Sequence, residues 1–388
     1  MSEVITNIGE LTTNTDRGRL VDAAIVLEGG RVAWIGSARD APAADTRTDA
    51  EGRALLPGWV DIHTHTVFAG DRAAEFESRM AGTPYSAGGI GTTVAATRAA
   101  TDENLLRAAL RIRDEAERQG TTFLETKTGY GLDAPSERRL AQVSRQVADT
   151  VTFLGAHVVP QGVDRRDYVR LVCGQMLAEV RPFVDAMDVF CEEGAFTVEE
   201  SREILLAGRD AGLRLHVHGN QLGHSGGVAL AVELGAASVD HCNHLSADDV
   251  EMLAASRTVA TVLPACDLST RQPLAPARRL LDAGAALAIA TNCNPGSSFT
   301  TSMPYCIATA VLQMGLSVGE AVDAATRGAA RALGRDTGED AIGVVAVGAR
   351  ADLQLLEAPS VSHLAYRPGV PSLPAVWRGG VRVRRGSA

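Results

Sequence analysis

The sequence predicts an α/β fold, a (β/α)8 TIM-like barrel accompanied by a small β-sandwich unit built from both chain ends, and three observations predict it. From about residue 57 to residue 340, short apolar runs alternate with helix-patterned stretches, at a pace that argues for a parallel sheet. Outside that region both ends of the chain carry β-type runs punctuated by Gly turns. A length of 388 residues with 45% hydrophobic content supplies core for one large barrel and a smaller unit beside it.

Taken in order, residues 1–56 contain AAIVLEGGRVAWIG, two Val/Ile-rich arms around Gly29 and Gly30, which reads as a hairpin. Residues 57–340 carry the strand-like runs LPGWVDIHTH, TTFLETKTG, VTFLGAHVV, AMDVFCEEGAF, LRLHVHG, ASVDHCNHL, TVATVLPA and AALAIATNC, with helical stretches such as ENLLRAALRIRDEAERQG between them. About eight such units argue for closure into a barrel, whose active site is built at the C-terminal ends of its strands. Polar residues sit at those ends. Residues 341–388 return to β-type pattern in GVVAVGARADLQLLEAP and AVWRGGVRVRR, and are expected to rejoin the N-terminal strands.

Composition excludes several classes of function. The net charge is −10, from 47 acidic and 37 basic residues, and no block of Lys or Arg forms a phosphate-tracking patch, so nucleic acid is not an expected partner. The N-terminal residues lack a signal-peptide pattern, and no run of about 18 apolar residues occurs, so the expectation is a cytoplasmic protein with no membrane segment. Six scattered cysteines, without a CxxC pair, are expected to be reduced packing residues.

The chemistry-bearing residues cluster at strand ends. His63 and His65 lie two apart at the end of an apolar strand, so both imidazoles face the same side. His216 and His218 repeat this HxH pattern on a later strand. Imidazole ligates zinc and iron, and a hydrolytic site commonly uses three protein ligands or more with a position left for water. His216 reads as structural rather than as a ligand. His241, after Asp240 on another strand, suits carbonyl polarisation or proton relay because imidazole titrates near neutrality. His224 and His244 read as surface or capping residues. Arg72 can clamp a carboxylate or pair with Asp71 or Glu75, and both readings stay open. Tyr130 sits in a Gly-flanked loop suited to substrate contact, and Glu125 and Lys127 can form an internal ion pair. The turn NPGSS after the last strand brings backbone amides and a hydroxyl to the barrel mouth. GHSGG at 223–227 matches a nucleophile-elbow pattern, but the strand ends too early to place Ser225 on a sharp elbow.

Together, PGWVDIHTHTVFAGDRAAEF, Tyr85 before GGIGTTVAATR, KTGYGLD, FLGAHVVP, DVFCEEGAF, HVHGNQLG, VDHCNHL and TNCNPGSS resemble the imidazolonepropionase family of the amidohydrolase superfamily, in the same order over nearly the whole chain. The resemblance implies that a metal-activated water hydrolyses 4-imidazolone-5-propanoate to N-formimidoyl-L-glutamate in histidine degradation. By the same resemblance one Zn or Fe ion is held by His63, His65, His218 and residue 292. Arg72, Tyr85, Tyr130 and His157 become contacts to the imidazolone and its propionate, Gln221 orients the ring, and His241 is the polarising or proton-relay histidine. Asn294, Gly296 and Ser297 fit the substrate and product loop, and the superfamily implies a homodimer.

Residue 292 departs from the pattern. The family leads to Asp at this position, as metal ligand and as the base that takes a proton from water, and this chain has Asn292. An amide coordinates weakly through oxygen and does not accept the proton at neutral pH, which implies a rate lower by about 10² to 10⁴-fold. A deliberate substitution, a relative with altered activity and an asparagine that deamidates to Asp all account for it. The alternative functions are another cyclic amidohydrolase, a heterocycle deaminase on the same metal frame, and an imidazolone-binding protein without turnover. A deaminase acting on a neutral base has no need of the Arg72 clamp.

Overall fold

A computed structural model of the chain describes residues 1–83 and 89–383. Two compact units are present: one of Met1–Asp61, Asp114–Phe123 and Ser302–Ala388, the other of Ile62–Arg113 and Leu124–Thr301. The N-terminal strands are β1 (Ser2–Thr12), β2 (Arg19–Glu28), β3 (Arg31–Ser37), β4 (Thr46–Asp49) and β5 (Ala54–Pro57). Strands β2 and β3 form the hairpin expected from the Gly pair. Gly29 and Gly30 both take positive φ, 58° and 81°, the geometry of a tight turn whose twist matches that of the strands.

Eight parallel strands then build a nearly closed barrel, and they neighbour one another in chain order. They are β6 (Trp59–Asp61), β7 (Thr121–Lys127), β8 (Thr150–Ala156), β9 (Ala186–Cys191), β10 (Arg214–Gly219), β11 (Ser238–His241), β12 (Val259–Val262) and β13 (Leu287–Ile289). Every residue of β7, β8 and β9 is buried, as expected of parallel strands covered on both faces.

Helices between the strands carry the expected end signals. Asp133 accepts from the Ser136 amide at 2.8 Å to start the helix Ala134–Val147, and Thr197 with Glu200 forms a capping box on Val198–Asp210. Gly120, at φ 98°, turns the chain into β7 after the helix Asp102–Arg118.

The last barrel strand is shorter than the run AALAIATNC suggests. Asn292 adopts φ 53°, a left-handed conformation that Asn tolerates and that ends extended backbone. Even so, Thr64 bridges Cys293, and the His65 amide donates to the Cys293 carbonyl at 2.8 Å, so the first and last strand extensions meet.

After the barrel, β14 (Leu353–Leu356), β15 (Ala375–Arg378) and β16 (Val381–Arg382) return to the N-terminal strands. The resulting sheet runs β16-β15-β14-β5-β1-β2-β3, with β4 paired to β1, and is strongly curled. Its core includes Ile5, Ile25, Leu55, Leu353 and Trp377, all essentially inaccessible to solvent.

Candidate active site

The site begins with the two residues that flank Thr64. Lys127 donates its amide to the Thr64 carbonyl at 2.8 Å while Thr64 bridges Cys293, so the segment is held as strand on both sides. Strand alternation then sends His63 and His65 to one face, where both are buried. On β10 the same period aligns His216 and His218. The rings of His63 and His218 lie 4.4 Å apart and those of His65 and His218 5.7 Å apart.

One nitrogen from each of His63, His65 and His218 falls within 4.8 Å of the others. Two of the rings are oriented from behind: His63 Nδ1 lies 2.6 Å from Asp240 Oδ2, and His218 Nδ1 lies 3.0 Å from Asp188 Oδ1. Carboxylates there hold Nδ1 as the donor and leave Nε2 as the ligating atom. His63 Nε2 and His65 Nδ1 are buried without a hydrogen-bond partner. Leaving a buried polar atom unpaired costs about 1–3 kcal/mol, and a metal ion would satisfy these atoms. Burial also holds His63 and His65 well below the usual imidazole range, in the neutral form that binds metal. The donor set therefore fits a zinc or iron ion.

A pocket opens over these histidines. His65, Arg72, Tyr130, His157, His218, Gln221, His241, Asn292, Asn294 and Ser297 line it, and Ile90, Val158 and Phe190 supply apolar wall. Its mixed lining suits a small polar ligand. Tyr85 lies outside the described residues. His63 sits behind the pocket lining, and Gly296 packs against Arg72.

The polar groups of the pocket are individually fixed. The Arg72 guanidinium makes a two-point ion pair with Glu75, Nε to Oε2 at 2.8 Å and Nη2 to Oε1 at 2.6 Å, yet its side chain is only 7% exposed and remains in the pocket wall. Of the two readings of Arg72, the ion pair is the one formed, with Glu75 as its partner. His157 Nδ1 lies 3.1 Å from the Gly129 carbonyl and donates to it, which leaves Nε2 as an acceptor. Burial takes its pKa down to about 3, so the ring is neutral. His241 takes φ 83°, rare for a residue with a β-carbon, and its Nδ1 is buried without a partner. Burial holds this ring, too, well below the usual range.

Asn292 is tied into the loop that follows it. Asn294 donates through Nδ2 to Asn292 Oδ1 at 3.0 Å, and accepts at Oδ1 from the amides of Gly296 and Ser297, both at 2.8 Å. This side-chain turn is what the NPGSS chemistry builds.

The other residues read from the sequence fall elsewhere. His216 Nδ1 pairs with Ser238 Oγ at 2.8 Å and is not among the three converging nitrogens. His244 Nε2 lies 3.4 Å from Gln272, and the His224 ring is 6.2 Å from that of His244. Ser225 Oγ accepts the Asn220 amide at 3.1 Å and lies six residues past the end of β10, so no elbow forms. Glu125 and Lys127 make the internal ion pair, 3.1 Å apart and buried.

Comparison with known proteins agrees with this geometry. Residues 54–383 match the amidohydrolase family. The imidazolonepropionase of Saccharopolyspora erythraea is 65% identical over 383 residues, covering 98% of this chain and 99% of the relative. That of Arthrobacter sp. strain FB24 is 62% identical over 400 residues, with 99% and 100% covered. The chain belongs to the amidohydrolase family, among the imidazolonepropionases. Among solved structures, a zinc-bound adenosine deaminase from Xanthomonas campestris superposes with a TM-score of 0.73 at 18% identity, covering 98% of this chain and 92% of that one. At that identity the likeness speaks for the family's fold alone.

Two residue sets in this amidohydrolase site escaped the sequence reading. Asp188 was embedded in an otherwise apolar strand, AMDVFC, where a lone acid is the available signal. Glu137 is fully buried and accepts from the amides of Gly129, Gly131 and Leu132 at 3.1, 2.7 and 2.9 Å, fixing the loop that carries Tyr130. In sequence it looks like an ordinary acid in the first turn of a helix. Among the described residues, no helix is long and apolar enough to cross a membrane.

Proposed function

We propose that this chain binds 4-imidazolone-5-propanoate and hydrolyses its ring amide to N-formimidoyl-L-glutamate, a step of histidine degradation. The observation that carries the reading is the presence in one pocket wall of a buried guanidinium, Arg72, beside the histidines that can hold a metal. The 65% identical relative named for this activity supports it.

His63, His65 and His218 would hold one Zn or Fe ion, with the Asn292 amide oxygen as a weaker fourth donor. When bound, the ion supplies Lewis acidity that polarises the ring carbonyl and acidifies water. Arg72 receives the propionate through the donors that Glu75 does not occupy, and Tyr130 closes the same end. His157 offers the Nε2 lone pair to a ring N–H, and Gln221 orients the ring. His241 donates to the oxygen that gains negative charge as the carbonyl is attacked, and the ring nitrogen, as its bond to the carbonyl carbon breaks, takes up the proton that the attacking water gives up. Asn294, Gly296 and Ser297 would form the substrate and product loop. Tyr85 belongs to the same reading by resemblance. The setting we propose is a homodimer in the cytoplasm.

Asn292 favours a second reading, a chain that binds the imidazolone and turns it over slowly. A carboxamide has no proton-accepting oxygen of useful basicity at neutral pH, so the proton of the attacking water lacks its base. Hydrolysis of imidazolone propionate by this chain and by Asn292→Asp, assayed side by side for formimidoylglutamate, tests both readings. A rate higher by about 10²-fold or more in the Asp variant supports an enzyme slowed at one position. No product from either protein overturns the assignment.

A further inference from the structure

Beneath the three histidines the barrel interior carries a buried charge cluster that the proposed reaction does not use. Lys127 is fully buried, and its Nζ lies 2.9 Å from Asp188 Oδ2, 3.1 Å from Glu125 Oε1 and 3.8 Å from Asp240 Oδ2. Asp188 and Asp240 are the two carboxylates that orient His218 and His63. Asp240 is held further by Ser238, whose hydroxyl donates to Oδ1 at 2.6 Å. One ammonium therefore touches both orienting carboxylates at once.

The placement follows from sheet geometry. Lys127 and Glu125 are two apart on β7, and His216 and His218 two apart on β10. Asp188 is in register with His216, and Asp240 with His218, so the parallel pairing stacks them on the same interior face. Without a cation there, three carboxylates would share a dry interior and repel one another, which favours side-chain positions turned away from the cluster. An orienting carboxylate that turns away no longer holds its imidazole.

We propose that Lys127 is a positioning residue for the metal centre, acting as the internal counter-cation that holds Asp188 and Asp240 aimed at the Nδ1 atoms of His218 and His63. This rests on the reading that His63, His65 and His218 bind the metal. Loss of groups that orient metal ligands typically weakens metal binding by about 10 to 100-fold, and that is the effect expected here.

The test is zinc binding, measured by competition with a chromophoric chelator on chelator-stripped protein, for the natural chain, Lys127→Met and Lys127→Arg. The expected result is one tight equivalent for the natural chain, binding weaker by about 10 to 100-fold for Lys127→Met, and most of the affinity recovered in Lys127→Arg. Cobalt(II) absorption bands, which report ligand geometry, should shift in Lys127→Met and return in Lys127→Arg. If Lys127→Met does not fold, the Glu125→Gln, Lys127→Met double variant, which removes one charge of each sign, carries the same comparison. Natural affinity and an unchanged cobalt spectrum in the neutral variant overturn the proposal while leaving the ligand set intact. Absence of tight zinc binding in the natural chain overturns the ligand set and this proposal with it.

Discussion

Gly296 lies directly against the guanidinium of Arg72: a β-carbon on this glycine would stand 2.1 Å from Nη1 and 2.6 Å from Cζ. The loop leaving the last barrel strand and the arginine that follows the first therefore share one space. Arg79 fixes the same loop by donating through Nη2 to the Gly296 carbonyl at 2.7 Å. Gly296→Ala should displace either the arginine or the loop, at a cost in overpacking of about 1–3 kcal/mol. The expected outcome is a KM for imidazolone propionate raised by about tenfold or more, with a cooperative thermal transition retained. Steady-state kinetics with a melting curve checks it.

Arg72 itself should control affinity for the propionate. Arg72→Gln removes a charged donor worth about 1.5–3 kcal/mol, so kcat/KM should fall by about 10 to 150-fold. Arg72→Lys keeps the charge but loses the fork geometry and should recover only part of that loss. Binding of an imidazolone lacking the side-chain carboxylate should be nearly unaffected in either variant, which isothermal titration would measure.

Glu137 holds the Tyr130 loop from behind, since three backbone amides converge on its buried carboxylate. Glu137→Ala leaves those donors buried and unpaired, each at about 1–3 kcal/mol, so stability should fall by several kcal/mol. Glu137→Gln keeps one good acceptor and should lose less. Urea unfolding of both variants orders them, and the Gln variant should show a raised KM with kcat nearly preserved.

Stability should fall in mild acid, and His216 contributes to the fall. Burial lowers its pKa from 6.5 to about 4. Between those values the unfolded chain binds a proton that the folded chain does not, so the contribution is present above pH 6.5 and is lost progressively as pH drops toward 4. The size is about 3 kcal/mol over that window. Thermal unfolding of metal-free protein from pH 7 to pH 4.5 should show the loss, and His216→Asn should show a shallower dependence.

Much of the site was legible because it sits on strands. A period of two places His63 with His65 and His216 with His218 on common faces, and the turn chemistry of NPGSS specifies its loop whatever surrounds it. Less was legible where partners come from distant strands. The spacing allows Arg72 to pair with Glu75, which it does, but does not show that Gly296, more than two hundred residues away in the chain, packs against the same guanidinium. The shortened last strand is a similar case: the apolar run AALAIATNC continues to Cys293, while the regular strand ends at Ile289 and the backbone turns left-handed at Asn292.

By itself the sequence determined the alternation of strands and helices, the histidine pairs and the presence of Asn where the family leads to Asp, since each is a local pattern or a residue identity. Only the tertiary structure decided which histidines converge and what stands behind them. Parallel strand register brings Asp188, Asp240 and Lys127 under His63 and His218, and register is set by contacts between strands rather than within them. Burial then turns those contacts into chemistry, because charges removed from water depend for their state on the partners that the fold provides.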